Sequence, residues 1–355
     1  MENAHCIASK IMGLNSYFPQ ERRSFSLFLQ AMKNRSLRIL VTGAGGFIGS
    51  QTCLYFQDRH EVMGVDCFRT GETLHNGNAR SLGHLDNLKD FTGKLLTADI
   101  RNPKTMMAIS DFRPDVIFHL AAVSDTTAVA ADRIEDVNVD VFERLLTLAK
   151  EQGCRLIYAG SASVYGQAPA PQQVGRHELP MNVYAKTKLA MDDLARLHFS
   201  DTAVVGLRYF NVYGPGEYHK GKTASVIVQW GLELLSGRAP RLFRGSEKMY
   251  RDFVYIADVM KCHEKAMELH SGIYQVGTGI SRSFQEVADA LQRQLHVYLP
   301  CTHIENPHAE TYQFHTCAFR ESAFADISFH TLEEGIAAYV PEIRRVYENL
   351  CHKEF

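Results

Sequence analysis

The sequence predicts an α/β fold built on a doubly wound parallel sheet, followed by a smaller mixed α/β lobe. Three observations carry that prediction. Short β-branched runs alternate with helical patterns from Leu37 to about residue 210, a glycine-rich turn follows the first run directly, and the alternation loosens after Asn211.

The runs are Leu37–Val41, Glu61–Val65, Lys94–Thr97, Val116–Leu120, Leu156–Ala159 and Val204–Leu207. Strands separated by helices fold as right-handed βαβ units, giving a parallel sheet covered on both faces. Ligands of such sheets bind at the carboxyl ends of the strands. Beyond Asn211, helical stretches near Ser225–Leu235, Val259–Leu269 and Phe284–Leu295 are spaced by loops such as Gly237-Arg238-Ala239-Pro240. The expected division is therefore an N-terminal extension over 1–36, a dinucleotide-binding domain over 37–210, and a lobe over 211–355 that mainly serves the substrate. The extension shows no hydrophobic period and ends near a second methionine, Met32, which reads as an over-extended start or a loose tail.

Composition excludes several classes. Of 355 residues, 45% are hydrophobic and 22% charged, and no apolar run nears the ~18 residues of a spanning helix. Lys+Arg number 38 against 40 Asp+Glu, so no global basic field invites nucleic acid or a membrane surface. The eight cysteines are scattered with no C-x-x-C pair, which suits reduced thiols in a cytoplasm. The sixteen histidines show no spacing of a zinc site, so no metal is expected.

The first strand runs into Thr42-Gly43-Ala44-Gly45-Gly46-Phe47-Ile48-Gly49. Glycines 43, 46 and 49 suit a tight turn, a close approach of backbone N–H groups to a pyrophosphate, and packing of a helix on its strand. With Asp66 closing the second strand at nearly the expected interval, this is a Rossmann-type dinucleotide turn that places Gly43, Gly46, Phe47, Ile48 and Gly49 at the cofactor. Asp66 favours NAD through a ribose hydroxyl, whereas Arg69 favours NADP by pairing with a 2′-phosphate. The residues leave that choice open. Asp99 and the pair Ala121-Ala122, at the ends of the third and fourth strands, lie where the rest of the dinucleotide would run.

After the fifth strand comes Gly160-Ser161-Ala162-Ser163-Val164-Tyr165, and then Asn182-Val183-Tyr184-Ala185-Lys186-Thr187-Lys188 opens a helix. Tyr184 and Lys188 are four apart and share a helix face. Lys188 is expected to lower the phenol's pKa and hold ribose hydroxyls, Tyr184 to exchange a proton with substrate, and Ser161 to donate to the same oxygen.

This constellation resembles the extended short-chain dehydrogenase/reductase superfamily. Its 4,6-dehydratases carry Asp-Glu after the serine, where this chain has Ala162-Ser163, so dehydration is disfavoured. Arg208-Tyr209-Phe210-Asn211 and Arg251-Asp252-Phe253 resemble the nucleotide-diphospho-sugar contacts of the superfamily, with Asn211 and Arg251 at the pyrophosphate.

Further stretches are similar to the ADP-glyceromanno-heptose 6-epimerases: Glu217-Tyr218-His219-Lys220-Gly221, Leu242-Phe243-Arg244-Gly245-Ser246, and Ser271 to Gly279. The similarity runs from about Leu37 to Val340. It implies an isomerase in which tightly bound NADP, with NAD the alternative, takes hydride from C6 of an ADP-linked heptose and returns it to the other face. The catalytic set it implies is Tyr184, Lys220, Lys188 and Ser161; the substrate set adds Asn211, His219, Ser225, Phe243, Ser246, Arg251 and Tyr312. Thr311 stands where the family usually has arginine, with His308, His315 or Arg320 as substitutes. The resemblance also implies a homo-oligomer, with a pentamer as one form, and a role in supplying heptose for lipopolysaccharide. The competing readings are a 4-epimerase or ketoreductase on another nucleotide sugar and, from a different class, a nucleotide-sensing regulator that has lost the chemistry.

Overall fold

A computed structural model describes residues 35–307 and 313–352. The described residues from Arg38 onward form one compact unit. Seven strands build its central sheet: β1 (Arg38–Thr42), β2 (Glu61–Asp66), β3 (Lys94–Thr97), β4 (Val116–His119), β5 (Arg155–Ser161), β6 (Val204–Tyr209) and β10 (Gly272–Val276), in the order β10-β6-β5-β4-β1-β2-β3. Every pairing among them is parallel. The order reverses between β1 and β4, where the crossovers diverge to opposite faces and leave a crevice for a ligand.

The six sequence-read strands appear where expected; five are largely buried, as parallel strands covered on both faces require, while β3 at the sheet edge is mostly exposed. The seventh does not come from the region 37–210. It is β10, which joins the β6 edge from the C-terminal part, so the sheet spans the division expected at residue 210.

Helices cover both faces. The helix α1 (Phe47–Phe56) leaves the glycine turn and buries Phe56 against Phe118 of β4, ring centroids 5.4 Å apart. On the other face, α2 (Pro103–Phe112), a single turn α3 (Glu135–Asn138) and α4 (Asp140–Gln152) precede β5. Helix α4 buries Val141, Phe142, Leu145, Leu146, Leu148 and Ala149 at helical spacing and stops at Gly153, whose φ of 65° closes the C-terminus. Each fully buried Val, Leu or Phe among them contributes about 1.5–3 kcal/mol. Helix α5 (Val183–His198) starts at Asn182, whose side chain accepts from the Ala185 N–H at 2.8 Å, a polar N-cap.

The smaller part carries a three-stranded sheet of order β11-β9-β7, from β7 (Asn211–Tyr213), β9 (Tyr250–Tyr255) and β11 (Ser281–Ser283), and a parallel pair of β8 (Arg241–Phe243) with β12 (Thr302–Ile304). Helices α6 (Val226–Leu235), α7 (Ile256–Ala266), α8 (Phe284–Leu295) and α9 (Leu332–Cys351) pack around them. Capping boxes at Ser283/Glu286 and Thr331/Glu334 begin α8 and α9. The three helical stretches read from sequence thus exist; α7 starts three residues earlier than its pattern suggested.

Candidate active site

One cavity of about 670 Å³ opens at the carboxyl ends of the strands. Its wall includes Gly43, Gly46, Phe47, Ile48, Gly49, Asp66, Asp99, Ala121, Ala122, Ser161, Tyr184, Lys188 and Lys220. These residues come from seven separate chain segments, and the topology alone unites them.

At one end of the cavity lies the glycine turn. Gly43 has φ of +72°, and a Cβ there would stand 2.6 Å from the Ala121 nitrogen. A Cβ on Gly49 would stand 1.9 Å from the Gly43 carbonyl oxygen, so the helix meets the turn with no room for a side chain. The first turn of α1, whose N–H groups lack acceptors within the helix, faces the cavity. The cradle therefore fits a dinucleotide pyrophosphate, with Phe47 and Ile48 presenting backbone donors.

Asp66 is buried at the end of β2, where its carboxylate accepts from the Gly45 N–H at 2.9 Å and the Phe68 N–H at 2.6 Å. Burial pushes its pKa up, and these backbone donors work against that. It thus braces the glycine turn while lining the cavity. Arg69 stands elsewhere: its guanidinium donates to the His219 carbonyl, and it is not on the cavity wall. The cations on the wall near Asp66 and Asp99 are Arg80 and Arg101, which the sequence reading passed over. Arg101 pairs with Asp99 at 2.6 Å and with Asp136 at 2.8 Å, and Arg80 pairs with Asp136 at 2.8 Å. The run Asp99-Ile100-Arg101 after the third strand was the available signal.

At the other end, α5 presents Tyr184, Lys188 and Asp192 at i, i+4 and i+8 on one face. Lys188 is 2% exposed, donates to the Ala159 carbonyl at 2.8 Å, and is pulled down to about 8 by burial, with Asp192 acting in the opposite sense. Asp192 in turn accepts from the Tyr158 hydroxyl at 2.6 Å and pairs with the buried Arg208 at 2.6 Å. This buried network fixes α5 against β5 and β6, and so fixes the tyrosine and lysine. Burial raises the Tyr184 pKa, and a hydrogen bond with Ser161 works against that rise. The sequence expectation that Lys188 lowers the phenol is corrected here: burial outweighs the Ser161 hydrogen bond, and the ammonium is turned to the Ala159 carbonyl.

Lys220 lies in a 3-10 stretch, Tyr218–Thr223, that kinks at Gly221. Its ammonium is 5.8 Å from the centroid of the Phe47 ring, and burial lowers its pKa while Glu217 raises it. Lys222 and Thr223 line the same cavity. Glu217, fully buried next to Lys220, is a residue the sequence reading quoted without giving it a role.

The remaining expected residues lie off the wall of this cavity. Asn211 is exposed at the start of β7. The His219 ring stacks on His84, centroids 3.8 Å apart. Ser225 caps α6 and donates to Glu217 at 2.7 Å. Phe243 ends β8, Ser246 is buried in the turn before β9, and the Arg251 guanidinium lies 5.5 Å from the Phe284 ring centroid. Burial lowers the His315 pKa, the charge of Arg251 adds to that, and Arg320 donates to the Ile327 carbonyl. His308, Thr311 and Tyr312 lie outside the described residues, as does nearly all of the 1–36 extension. No described helix is long and apolar enough to cross a membrane.

Comparison with known proteins gives consistent results. Residues 39–277 match the NAD dependent epimerase/dehydratase family. Among solved structures, ADP-L-glycero-D-manno-heptose-6-epimerase of Helicobacter pylori is 39% identical, over 87% of this chain and 96% of that one, with a TM-score of 0.80. A UDP-N-acetylglucosamine 4-epimerase of Methanobrevibacter ruminantium is 24% identical over 88% of this chain and 99% of that one, with a TM-score of 0.77. A UDP-glucuronic acid 4-epimerase of Bacillus cereus, in complex with UDP-glucuronic acid and NAD, is also 24% identical, over 88% and 100% of the two chains, at 0.75. The last two share the fold. Glycine cradle, Ser-Tyr-Lys constellation and these likenesses agree: the chain belongs to the NAD-dependent epimerase/dehydratase family, within the extended short-chain dehydrogenase/reductase superfamily, and is an epimerase.

Proposed function

We propose that the chain inverts C6 of ADP-D-glycero-β-D-manno-heptose to give the L-glycero epimer, using bound NADP. One observation carries the reading beyond the family: Tyr184 and Lys220 reach the same cavity from separate elements. Inversion needs proton-exchanging groups disposed around one carbon, and these two supply them. The resemblance of the Glu217–Gly221 segment to the heptose epimerases, and the 39% identity to the H. pylori enzyme, point to the same sugar.

The cofactor, when bound, accepts a hydride from C6 and gives it back, so net redox change is zero. Tyr184 exchanges the proton of the C6 hydroxyl on one side and Lys220 on the other. Ser161 hydrogen-bonds Tyr184 and orients its phenol. Lys188, on the cavity wall, would hold the ribose hydroxyls. For a 2′-phosphate, Arg80 and Arg101 are the cations on the wall, in place of Arg69. The enzyme is proposed to act in the cytoplasm as a homo-oligomer.

The test is to incubate purified protein, with no added nicotinamide, with ADP-D-glycero-β-D-manno-heptose and follow C6 by proton NMR. Conversion to the L-glycero epimer is expected. No conversion by folded, cofactor-loaded protein rejects the heptose and moves the reading to a 4-epimerase on a sibling nucleotide sugar.

A further inference from the structure

We infer that Glu217 is a positioning residue for Lys220: its buried carboxylate fixes the loop that carries the lysine and serves as the counter-ion that keeps the amine charged. This rests on the reading of Lys220 as an acid/base group of the site.

Glu217 is fully buried, yet its two oxygens are surrounded by donors. Oε2 accepts from the Ser225 N–H at 2.6 Å, and Oε1 accepts from the Ser225 hydroxyl at 2.7 Å and the Gly214 N–H at 3.2 Å. The Tyr339 hydroxyl is a further partner. Burial pushes the Glu217 pKa up, and the donors on both oxygens work against that by favouring the ionised form. An ionised carboxylate in this setting requires a nearby cation to offset desolvation. The cation that acts on it is Lys220, three residues on in the 3-10 stretch that Glu217 precedes, where the Lys220 N–H also donates to the Glu217 carbonyl at 2.9 Å. The titratable groups that face Glu217 from other elements are phenols, Tyr213 of β7 and Tyr339 of α9, and both are held protonated by burial.

The donors sit at both ends of the loop. Gly214 follows β7, Ser225 opens α6, and Tyr339 belongs to α9, so one carboxylate ties three elements around Lys220. On the lysine side, enclosure beside Phe47 favours the neutral amine, and Glu217 is the group that opposes it. The carboxylate therefore holds the Lys220 midpoint above the pH at which burial alone would place it.

The test needs no sugar, so its outcome is separate from that of the proposed reaction. Full-length protein is reductively methylated with 13C-formaldehyde, the Lys220 and Lys222 resonances are identified by their absence in Lys220→Arg and Lys222→Arg, and both are titrated by NMR. In Glu217→Gln the Lys220 midpoint is expected to fall by about one pH unit or more while Lys222 stays in place. Glu217→Asp, which keeps the charge and withdraws it by one methylene, is expected to give a smaller fall and is the deciding variant if the glutamine protein does not fold. An unchanged or raised Lys220 midpoint, or an equal shift of Lys222, overturns the inference.

Discussion

The ammonium of Lys188 sits 5.7 Å from the centroid of the Tyr184 ring and 2.8 Å from the Ala159 carbonyl oxygen. The ammonium thus serves the backbone rather than the phenol.

Removing either proton-exchanging group is expected to stop the reaction without emptying the site. Tyr184→Phe and Lys220→Met are each expected to lower turnover ~100-fold or more, the usual contribution of a positioned acid or base. Cofactor affinity, followed by quenching of protein fluorescence on titration, is expected to remain. Undiminished turnover in either variant removes that residue from the mechanism.

Lys188 is expected to cost stability. Its pKa is about 8 in the folded protein against an ordinary 10.5, so between these values the unfolded chain holds the extra proton and stability rises with pH. The buried ammonium therefore destabilises the fold by roughly 3 kcal/mol near neutrality. Lys188→Met is expected to raise Tm at pH 7 and to flatten the rise in stability between pH 8 and 10. Denaturant unfolding across that range checks it, and a lower Tm with an unaltered pH slope contradicts it.

The turn at the end of β1 tolerates no side chain at Gly49. An alanine Cβ there meets the Gly43 carbonyl oxygen at 1.9 Å, a backbone atom that cannot move aside alone. Gly49→Ala is expected to destabilise the protein by about 1–3 kcal/mol or more and to abolish dinucleotide binding. Calorimetric unfolding and a binding titration read the two effects separately. Gly71→Ala serves as the contrast, because an added Cβ meets nothing there within 4 Å; its positive φ gives a modest loss of stability, with binding retained.

Cofactor choice is expected to follow the cavity wall. Arg80→Ala and Arg101→Ala should weaken NADP more than NAD, whereas Arg69→Ala should affect both little. Isothermal titration with the two dinucleotides decides, and a selective loss of NADP in the Arg69 variant returns the role to that residue.

The strands, the glycine turn and the Tyr184/Lys188 face were legible because each depends on local spacing: period-2 or continuous apolar runs, glycines three apart, and residues four apart on a helix. What the sequence could not show depends on side chains meeting from distant segments. Arg69 was placed by its distance from Asp66 along the chain, but its guanidinium turns to the His219 carbonyl. Arg80 and Arg101 reach the wall through the loop after β2 and the end of β3, and no period marks them. The direction of the Tyr184 shift was misjudged because sequence shows a neighbouring cation and not the burial that outweighs it. The β10 strand was missed as a sheet member since its partner, β6, lies more than sixty residues earlier.

That late strand has a consequence for synthesis. While the chain emerges from the ribosome, the first six strands can assemble in order, but the β6 edge keeps its unpaired N–H and C=O groups until Val276 has been made. The nascent sheet is thus exposed to edge pairing with other chains throughout translation of the intervening segment, which makes that interval the period in which a chaperone has most to protect.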